Sequence, residues 1–383
     1  MIMKIICISA SQVPATSANS IQVMKTCQAL AQAGHEVRLM VPRFGQPDAI
    51  NEAWPRLAQL YGLQTPFKIE WLPASPRWKR WDFCLAAVRR AKRLGGQMVY
   101  AWPLQAAFFA NLFRFPVVLE LHGPPEGKIG RHLFGDYLMM GGKKRYLPIT
   151  QALVDLLERI YHRKFKPGEV VIAPNGVDLE RYQNLPSPSQ ARAALGLEET
   201  FCAGYTGHLY PGRGLLLLVE LARRFPAIHF VWVGGRPQDV ESWKNQLSDE
   251  KIGNITLFGF VENSRLPLYQ AAMDVLLMPY ERQISGSGGG NSADYCSPMK
   301  MFEYMGSRRA IISSDLPVIQ EVLNDSNSLL CPPDDFQAWE QAVNCLYNDK
   351  AKRDDLGTHA FSDVHEYTWL RRAQKALANW ELP

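Results

Sequence analysis

Little in this chain supports a disulfide framework, a zinc site or a membrane span. Its 7 cysteines, Cys7, Cys27, Cys84, Cys202, Cys296, Cys331 and Cys345, are odd in number and scattered, most sit in apolar runs, and none forms a CxxC pair. That spacing argues against a stapled secreted scaffold and against zinc, and it suits a reducing cytoplasm. The longest apolar region, Ala101 to Phe113, contains Pro103, Gln105 and Asn111 and ends at Arg114. It falls short of the roughly 20 apolar residues that cross a bilayer. Met1 runs straight into Lys4-Ile-Ile-Cys-Ile8, too short an apolar stretch for a signal peptide and shaped like a buried strand. A large charge excess is also missing. The 42 Lys and Arg exceed the 37 Asp and Glu by too little to hold the chain on nucleic acid, though enough to suit phosphate-bearing ligands or an anionic surface. No GxGxxG follows the first strand and no acidic residue ends the second, Val41-Pro-Arg43. Both absences count against an NAD-dependent oxidoreductase.

What is present is a repeated strand-helix rhythm. With 383 residues and 47% hydrophobic content, the chain is long enough for two cores. Strand Lys4 to Ser9, helix Asn19 to Ala33 and strand Glu36 to Val41 open a βαβ series. Val23, Cys27 and Leu30 give the helix an apolar face, and Gly34 follows as its C-cap. Further strands are expected at Lys68 to Leu72, Met98 to Ala101, Pro116 to Leu121, Arg145 to Ile149 and Val170 to Ala173. Pro186 and Pro188 then punctuate a polar stretch, after which the rhythm restarts from Phe201 to Thr206 and runs to helix Phe336 to Tyr347. The expected fold is α/β, with two doubly wound, Rossmann-like parallel sheets facing a central cleft. The first domain is placed at 1–182 and the second at 183–364, with a final helix at about 365–383 folding back on the first.

In such sheets ligands bind beyond the carboxyl ends of strands, so the loops there are the places to search. The loop Gly207-His-Leu-Tyr-Pro-Gly-Arg-Gly214 leads into a helix. Its amides, the helix start and Arg213 can receive an anion, and an ordinary glycine turn with a solvated Arg fits the spacing equally. The loop Tyr280 to Pro298 carries Ser-Gly-Ser-Gly-Gly-Gly at 285–290, then Asn291 to Pro298, then a helix bearing Lys300 and Glu303. A linker would look similar, but long loops inside compact domains usually serve a function. Strand Val117 to Leu121 delivers His122 at its end, before Gly123 and two prolines, as either a packed or a reacting histidine.

Taken in order, several segments resemble glycosyltransferase family four, within the GT-B superfamily, along nearly the whole chain. They are Glu120-Leu-His122, Pro174-Asn-Gly-Val-Asp178, Tyr205 through Gly214, Val233-Gly-Gly235, Phe258-Gly-Phe-Val261 and Ser297-Pro-Met-Lys-Met-Phe-Glu-Tyr-Met305. The resemblance implies a retaining transfer of a sugar from a nucleotide diphosphate donor, UDP being the first choice, to a glycan or lipid-linked acceptor. It implies no metal and no separate cofactor. Consistent with that, no Asp-x-Asp follows an apolar strand, the arrangement by which GT-A enzymes hold a divalent ion. It assigns His122 to the donor sugar, Glu303 to the ribose and Arg213 to the diphosphate. Gly207, His208, Gly212, Ser297, Pro298 and the amides of Met299 and Lys300 line the donor, with Asn19 and Ser20 at the start of the first helix. Two departures stand out. The first carboxylate of the family's Glu-x7-Glu element falls on Tyr295, leaving Asp294 as the neighbouring carboxylate, and His208 replaces one of two permanent cations. A nucleotide-sugar epimerase and a degenerate, non-catalytic binder remain as alternatives on the same fold.

Aromatic and basic residues interleave at Trp71, Arg77-Trp-Lys-Arg-Trp81, Phe83, Arg89, Arg90, Lys92 and Arg93. Trp78, Lys79, Arg80 and Trp81 suit peripheral contact with an anionic membrane and a lipid-linked acceptor. A helix with Phe83, Ala86, Ala87 and Leu94 in the core and its cations in water is the other reading.

Overall fold

A computed structural model of the protein describes residues 2–43, 54–78, 80–284 and 291–380. The chain forms two compact units, Met1–Asn175 with Trp369–Pro383, and Gly176–Thr368.

The first unit alternates strand and helix: β1 Lys4–Ile8, α1 Ala18–Gln32, β2 Glu36–Arg43, α2 Trp54–Tyr61, β3 Lys68–Pro73, α3 Trp81–Arg93, β4 Met98–Ala101, α4 Leu104–Leu112, β5 Val117–Leu121, α5 Gly127–Met139, β6 Lys144–Pro148 and α6 Gln151–Tyr161. The strands pair in parallel in the order β3-β2-β1-β4-β5-β6. Ile5 lies opposite both Val37 and Met98, so chain order reverses beside β1. Covered on both faces, β4 and β5 are buried along their whole length, which is why they read as apolar runs interrupted only by Glu120 in β5.

The second unit repeats the plan: α7 Pro188–Leu195, β7 Cys202–Thr206, α8 Leu215–Arg224, β8 His229–Val233, α9 Pro237–Asp249, β9 Ile255–Gly259, α10 Leu266–Ala271, β10 Val275–Met278, α11 Met299–Gly306, β11 Ala310–Ser314, α12 Pro317–Gln320, β12 Leu329–Cys331, α13 Phe336–Asn348 and α14 Lys350–Asp363. Its order is β12-β11-β10-β7-β8-β9, again parallel. The reversal falls between β7 and β10, so the loops 207–214 and 279–298 leave neighbouring strand ends.

The last helix, α15 Trp369–Leu377, belongs to the first unit and packs on α1. Polar residues of α1 are buried as well, and Lys25 and Gln28 find partners in the connection after α2. Lys25 Nζ donates to Gly62 O at 2.7 Å, and Gln28 Oε1 accepts from Gln64 N at 2.6 Å.

The units divide at 175/176 and 368/369 rather than at 182/183 and 364/365. The apolar residues Val177, Leu179 and Tyr182 close around Gly306, and Tyr182 donates to Gln270 Oε1 at 2.8 Å, which ties 176–182 to the second unit. The expected strand at Val170 to Ala173 is reduced to an isolated bridge between Val170 and Tyr146.

Candidate functional site

In the second unit, two glycines let the loop after β7 pass tightly against its neighbours. Gly234 has φ +120°, and a Cβ there would lie 2.2 Å from Gly207 O. Gly214 caps α8 with φ +66°, and its Cβ would lie 1.9 Å from Pro279 O, so only glycine fits. The expected supply of free loop amides is smaller than the spacing suggested. Gly207 N donates to Val233 O at 2.8 Å, and Gly214 N donates to Glu281 Oε1 at 3.2 Å. Gly212 accepts from Glu281 N at 3.2 Å.

Side chains provide the charge instead. The Arg213 guanidinium lies 4.9 Å from the ring centroids of both Tyr210 and Tyr280, and its Nη2 donates to Tyr210 Oη at 2.9 Å. Lys300 Nζ lies 3.9 Å from the Tyr205 centroid and 5.4 Å from that of Tyr280. Both Arg213 Nε and Lys300 Nζ are buried with no hydrogen-bond partner among the described residues. Burial, reinforced by the Arg213 charge, holds the Lys300 amine well below the ordinary lysine pKa, while Glu303 one turn along α11 pulls the other way. The His208 ring stacks on Tyr210 with centroids 5.1 Å apart. Burial lowers its pKa, and the charges of Arg213 and Lys300 lower it further.

Pro298 caps α11, which begins at Met299 and Lys300. Ahead of it, Asn291 Oδ1 accepts from Ile284 N at 2.8 Å and Ala293 N at 3.1 Å, pinning the base of the loop. Asp294 is exposed, Tyr295 half-buried and Ser297 buried. The glycine run at 285–290 lies outside the described residues.

The first unit holds a separate cluster. His122 follows β5, and its Nε2 lies 2.7 Å from Glu120 Oε1. Glu120 is fully buried and also bonded by Gln22, Tyr100 and Arg372. Burial alone would raise its pKa, but the Arg372 charge and the His122 hydrogen bond bring it down to about 2. Neither Arg372 nor the bond between Glu120 and His122 was foreseen. The signal was a lone acid inside the apolar strand Val117–Leu121, since a buried carboxylate requires a partner. Ser20 is buried, its hydroxyl donating to Gln12 O at 2.7 Å, while Asn19 is exposed and Ser17 caps α1.

Of the expected membrane residues, Trp78 is 66% exposed and Arg80 is exposed. Trp81 is half-buried, its ring packed edge-on against Phe109 with centroids 5.7 Å apart. Lys79 lies outside the described residues. The buried face of α3 is Phe83, Cys84, Ala87, Val88 and Ala91, with Ala86 exposed. Among the described residues, no helix is long and apolar enough to cross a membrane, and no group of three or more His, Cys, Asp or Glu could hold a metal ion.

Two units, each built on a six-stranded doubly wound sheet, define the GT-B class. A crystal structure of Anabaena HepE in complex with UDP superposes with a TM-score of 0.76 at 16% identity, covering 98% of this chain and 99% of that one. Residues 20–181 match the family described as Glycosyltransferase Family 4, and residues 201–349 match Glycosyl transferases group 1. The chain belongs to glycosyltransferase family 4. It is 23% identical over 227 residues to a D-inositol 3-phosphate glycosyltransferase of Kineococcus radiotolerans, covering 55% of this chain and 51% of the relative. It is likewise 23% identical over 240 residues to an alpha-galactosylglucosyldiacylglycerol synthase of Streptococcus pneumoniae, covering 61% and 57%. The chain spans about half the length of the curated relatives it matches.

Proposed function

We propose that the chain is a retaining, metal-independent glycosyltransferase that moves a sugar from a UDP-linked donor to a glycan or lipid-linked acceptor. The observation that carries this reading is the pair of buried side-chain nitrogens, Arg213 Nε and Lys300 Nζ, that have no hydrogen-bond partner among the described residues, beside the switch point of the second sheet. Buried donors without acceptors are costly, and a bound anion is the natural acceptor. A diphosphate supplies several oxygens and matches the positive sign of the cluster. As the bond from the anomeric carbon to the diphosphate breaks, the acceptor hydroxyl oxygen bonds to that carbon and its proton passes to the leaving diphosphate, while Arg213 and Lys300 stabilise the charge gathering on that leaving group. The Arg213 guanidinium, joined by Lys300 once the arriving anion raises its pKa, can do this without a divalent ion. Glu303, on the same helix as Lys300, is assigned to the ribose, and His122 of the first unit to the donor sugar. UDP as the carrier is supported by the bound UDP of the HepE crystal, and a lipid-linked acceptor by the glycolipid product named for the streptococcal relative.

A thermal-shift panel of UDP, GDP, ADP and dTDP tests the donor assignment, with UDP expected to give the largest rise in Tm. Transfer assays with UDP-sugars follow, the anomeric configuration of the product being read by NMR. If no nucleoside diphosphate stabilises the protein, the reading is wrong. Inversion at the anomeric carbon would refute retention alone.

A further inference from the structure

The acid buried in the first unit is surrounded by groups that give it hydrogens. Arg372 Nη2 lies 2.6 Å from Glu120 Oε1, and Arg372 Nη1 3.3 Å from Oε2. The Tyr100 hydroxyl donates to Oε2 and Gln22 Nε2 to Oε1. The Gln22 amide has no freedom to turn over, because its Oε1 accepts from Trp102 Nε1 at 2.9 Å. Its NH2 group therefore faces Glu120. The remaining neighbour is the His122 ring, with Nε2 at 2.7 Å from Oε1 and its side chain 32% exposed.

A carboxylate only accepts hydrogen bonds. The ring nitrogen facing it must carry the proton, which leaves the lone pair of a neutral imidazole on Nδ1, the other side of the ring. That outcome depends on Glu120 staying ionised. A protonated carboxyl could donate to the ring and reverse the tautomer. The group that prevents this is Arg372, on α15, 252 positions further along the chain. Its guanidinium is itself fixed, with Nε donating to Pro174 O at 2.9 Å and Nη2 to Ala173 O at 3.1 Å.

We propose that Arg372 is a positioning residue for His122: by keeping Glu120 a carboxylate it fixes the imidazole with Nε2–H inward and Nδ1 outward as a hydrogen-bond acceptor. The histidine then recognises a ligand group that donates, such as a sugar hydroxyl. This last step rests on the reading of His122 as a donor-sugar contact, whereas the tautomer itself does not. Burial opposes the charge on Glu120, but Arg372 and His122 outweigh it and bring its pKa down to about 2, in keeping with a permanent carboxylate. A carboxylate that orients a histidine and sets its tautomer is a known device where imidazoles act on metals or protons. Here the charge that sustains it comes from the far end of the sequence.

The test uses the full chain labelled with nitrogen-15 histidine, with the His122 signals assigned by their loss in His122→Gln. At a pH where the ring is neutral, long-range proton–nitrogen spectra are expected to show the Nε2–H form. A dominant Nδ1–H form overturns the proposal with no further variant needed. In Arg372→Met the form is expected to become mixed or reversed, and kcat to fall about tenfold or more, equivalent to about 1.4 kcal/mol in the barrier, with donor KM little changed. Arg372→Lys is expected to restore the wild-type ring signals. A purely structural arginine would lower Tm and leave the His122 spectrum as it was, which refutes the positioning role. If the methionine variant does not fold, the wild-type spectrum and the lysine variant still decide. Full transfer activity in His122→Gln would remove the sugar-contact reading while leaving the tautomer result standing.

Discussion

Lys300→Met should raise stability without ligand and shrink the stabilisation that ligand brings. Lys300 Nζ is buried without a hydrogen-bond partner among the described residues, against the rings of Tyr205 and Tyr280. Burial and then the Arg213 charge hold its pKa well below the ordinary lysine value, with Glu303 opposing. Between the ordinary and the lowered value, the unfolded chain binds a proton that the folded chain does not, so stability at this site falls as pH falls through that window. Methionine has a similar length and no charge. The ligand-free Tm is therefore expected to rise, and by more at pH 7 than at pH 10. With the diphosphate bound, the lost hydrogen bond to a charged group costs about 1.5 to 3 kcal/mol, roughly ten- to a hundredfold in Kd. At a UDP concentration of about 100 times the wild-type Kd, ligand binding stabilises the wild type by about 2.7 kcal/mol. The variant keeps about 1.4 kcal/mol if Kd rises tenfold and about 0.4 kcal/mol if it rises a hundredfold. Differential scanning calorimetry with and without UDP reads both signs in one experiment. A variant that loses stability when ligand-free, or binds UDP as tightly as the wild type, refutes the view of Lys300 as a buried amine that an arriving anion charges and bonds.

Three further outcomes follow from the geometry. His208 and Lys300 are both held below their ordinary pKa values by burial and by neighbouring positive charge, so an arriving diphosphate raises both. Between the lowered and the ordinary values, UDP binding is then accompanied by proton uptake, measurable as a buffer-dependent calorimetric enthalpy, and affinity falls as pH rises; zero uptake at every pH would contradict this. Gly214→Ala places a Cβ 1.9 Å from Pro279 O in a left-handed conformation, so urea unfolding is expected to show a loss exceeding about 1 to 2 kcal/mol, the left-handed penalty alone. Equal stability would mean that the loop is not held as described. Liposome flotation with anionic lipid is expected to recover the protein and to weaken in Trp78→Ala, since Trp78 is 66% exposed; flotation that does not depend on anionic lipid counts against an electrostatic membrane contact.

How much of this was legible in the sequence depended on whether a local pattern carried it. The central strands of both sheets were legible because parallel strands buried on both faces read as apolar runs, as Met98–Ala101 and Val275–Met278 do. Helix α14, Lys350–Asp363, was missed because it buries only Leu356, Gly357 and Ala360. Its close packing rests on the absence of a side chain at Gly357, where a Cβ would lie 2.6 Å from Arg308 O. The short strand Leu329–Cys331 gave too few residues for a period. In the site, glycine spacing located the loop after β7 but not the fate of its amides. Gly207 spends its N–H on Val233 and Gly214 spends its own on Glu281, pairings set by the meeting of separate strands. The aromatic faces around the two cations follow the same rule, since Tyr205, Tyr210 and Tyr280 arrive from the ends of two strands. Arg372 is the extreme case, because its only local context is an amphipathic helix and its meaning comes from an acid 252 positions away. Yet Glu120 announced that something had to come. A carboxylate in the middle of an apolar strand is stable only with a buried counter-charge or a proton, and the nearest histidine shows what that choice decides. With the counter-charge, His122 offers a lone pair outward; with the proton, it can offer a hydrogen instead.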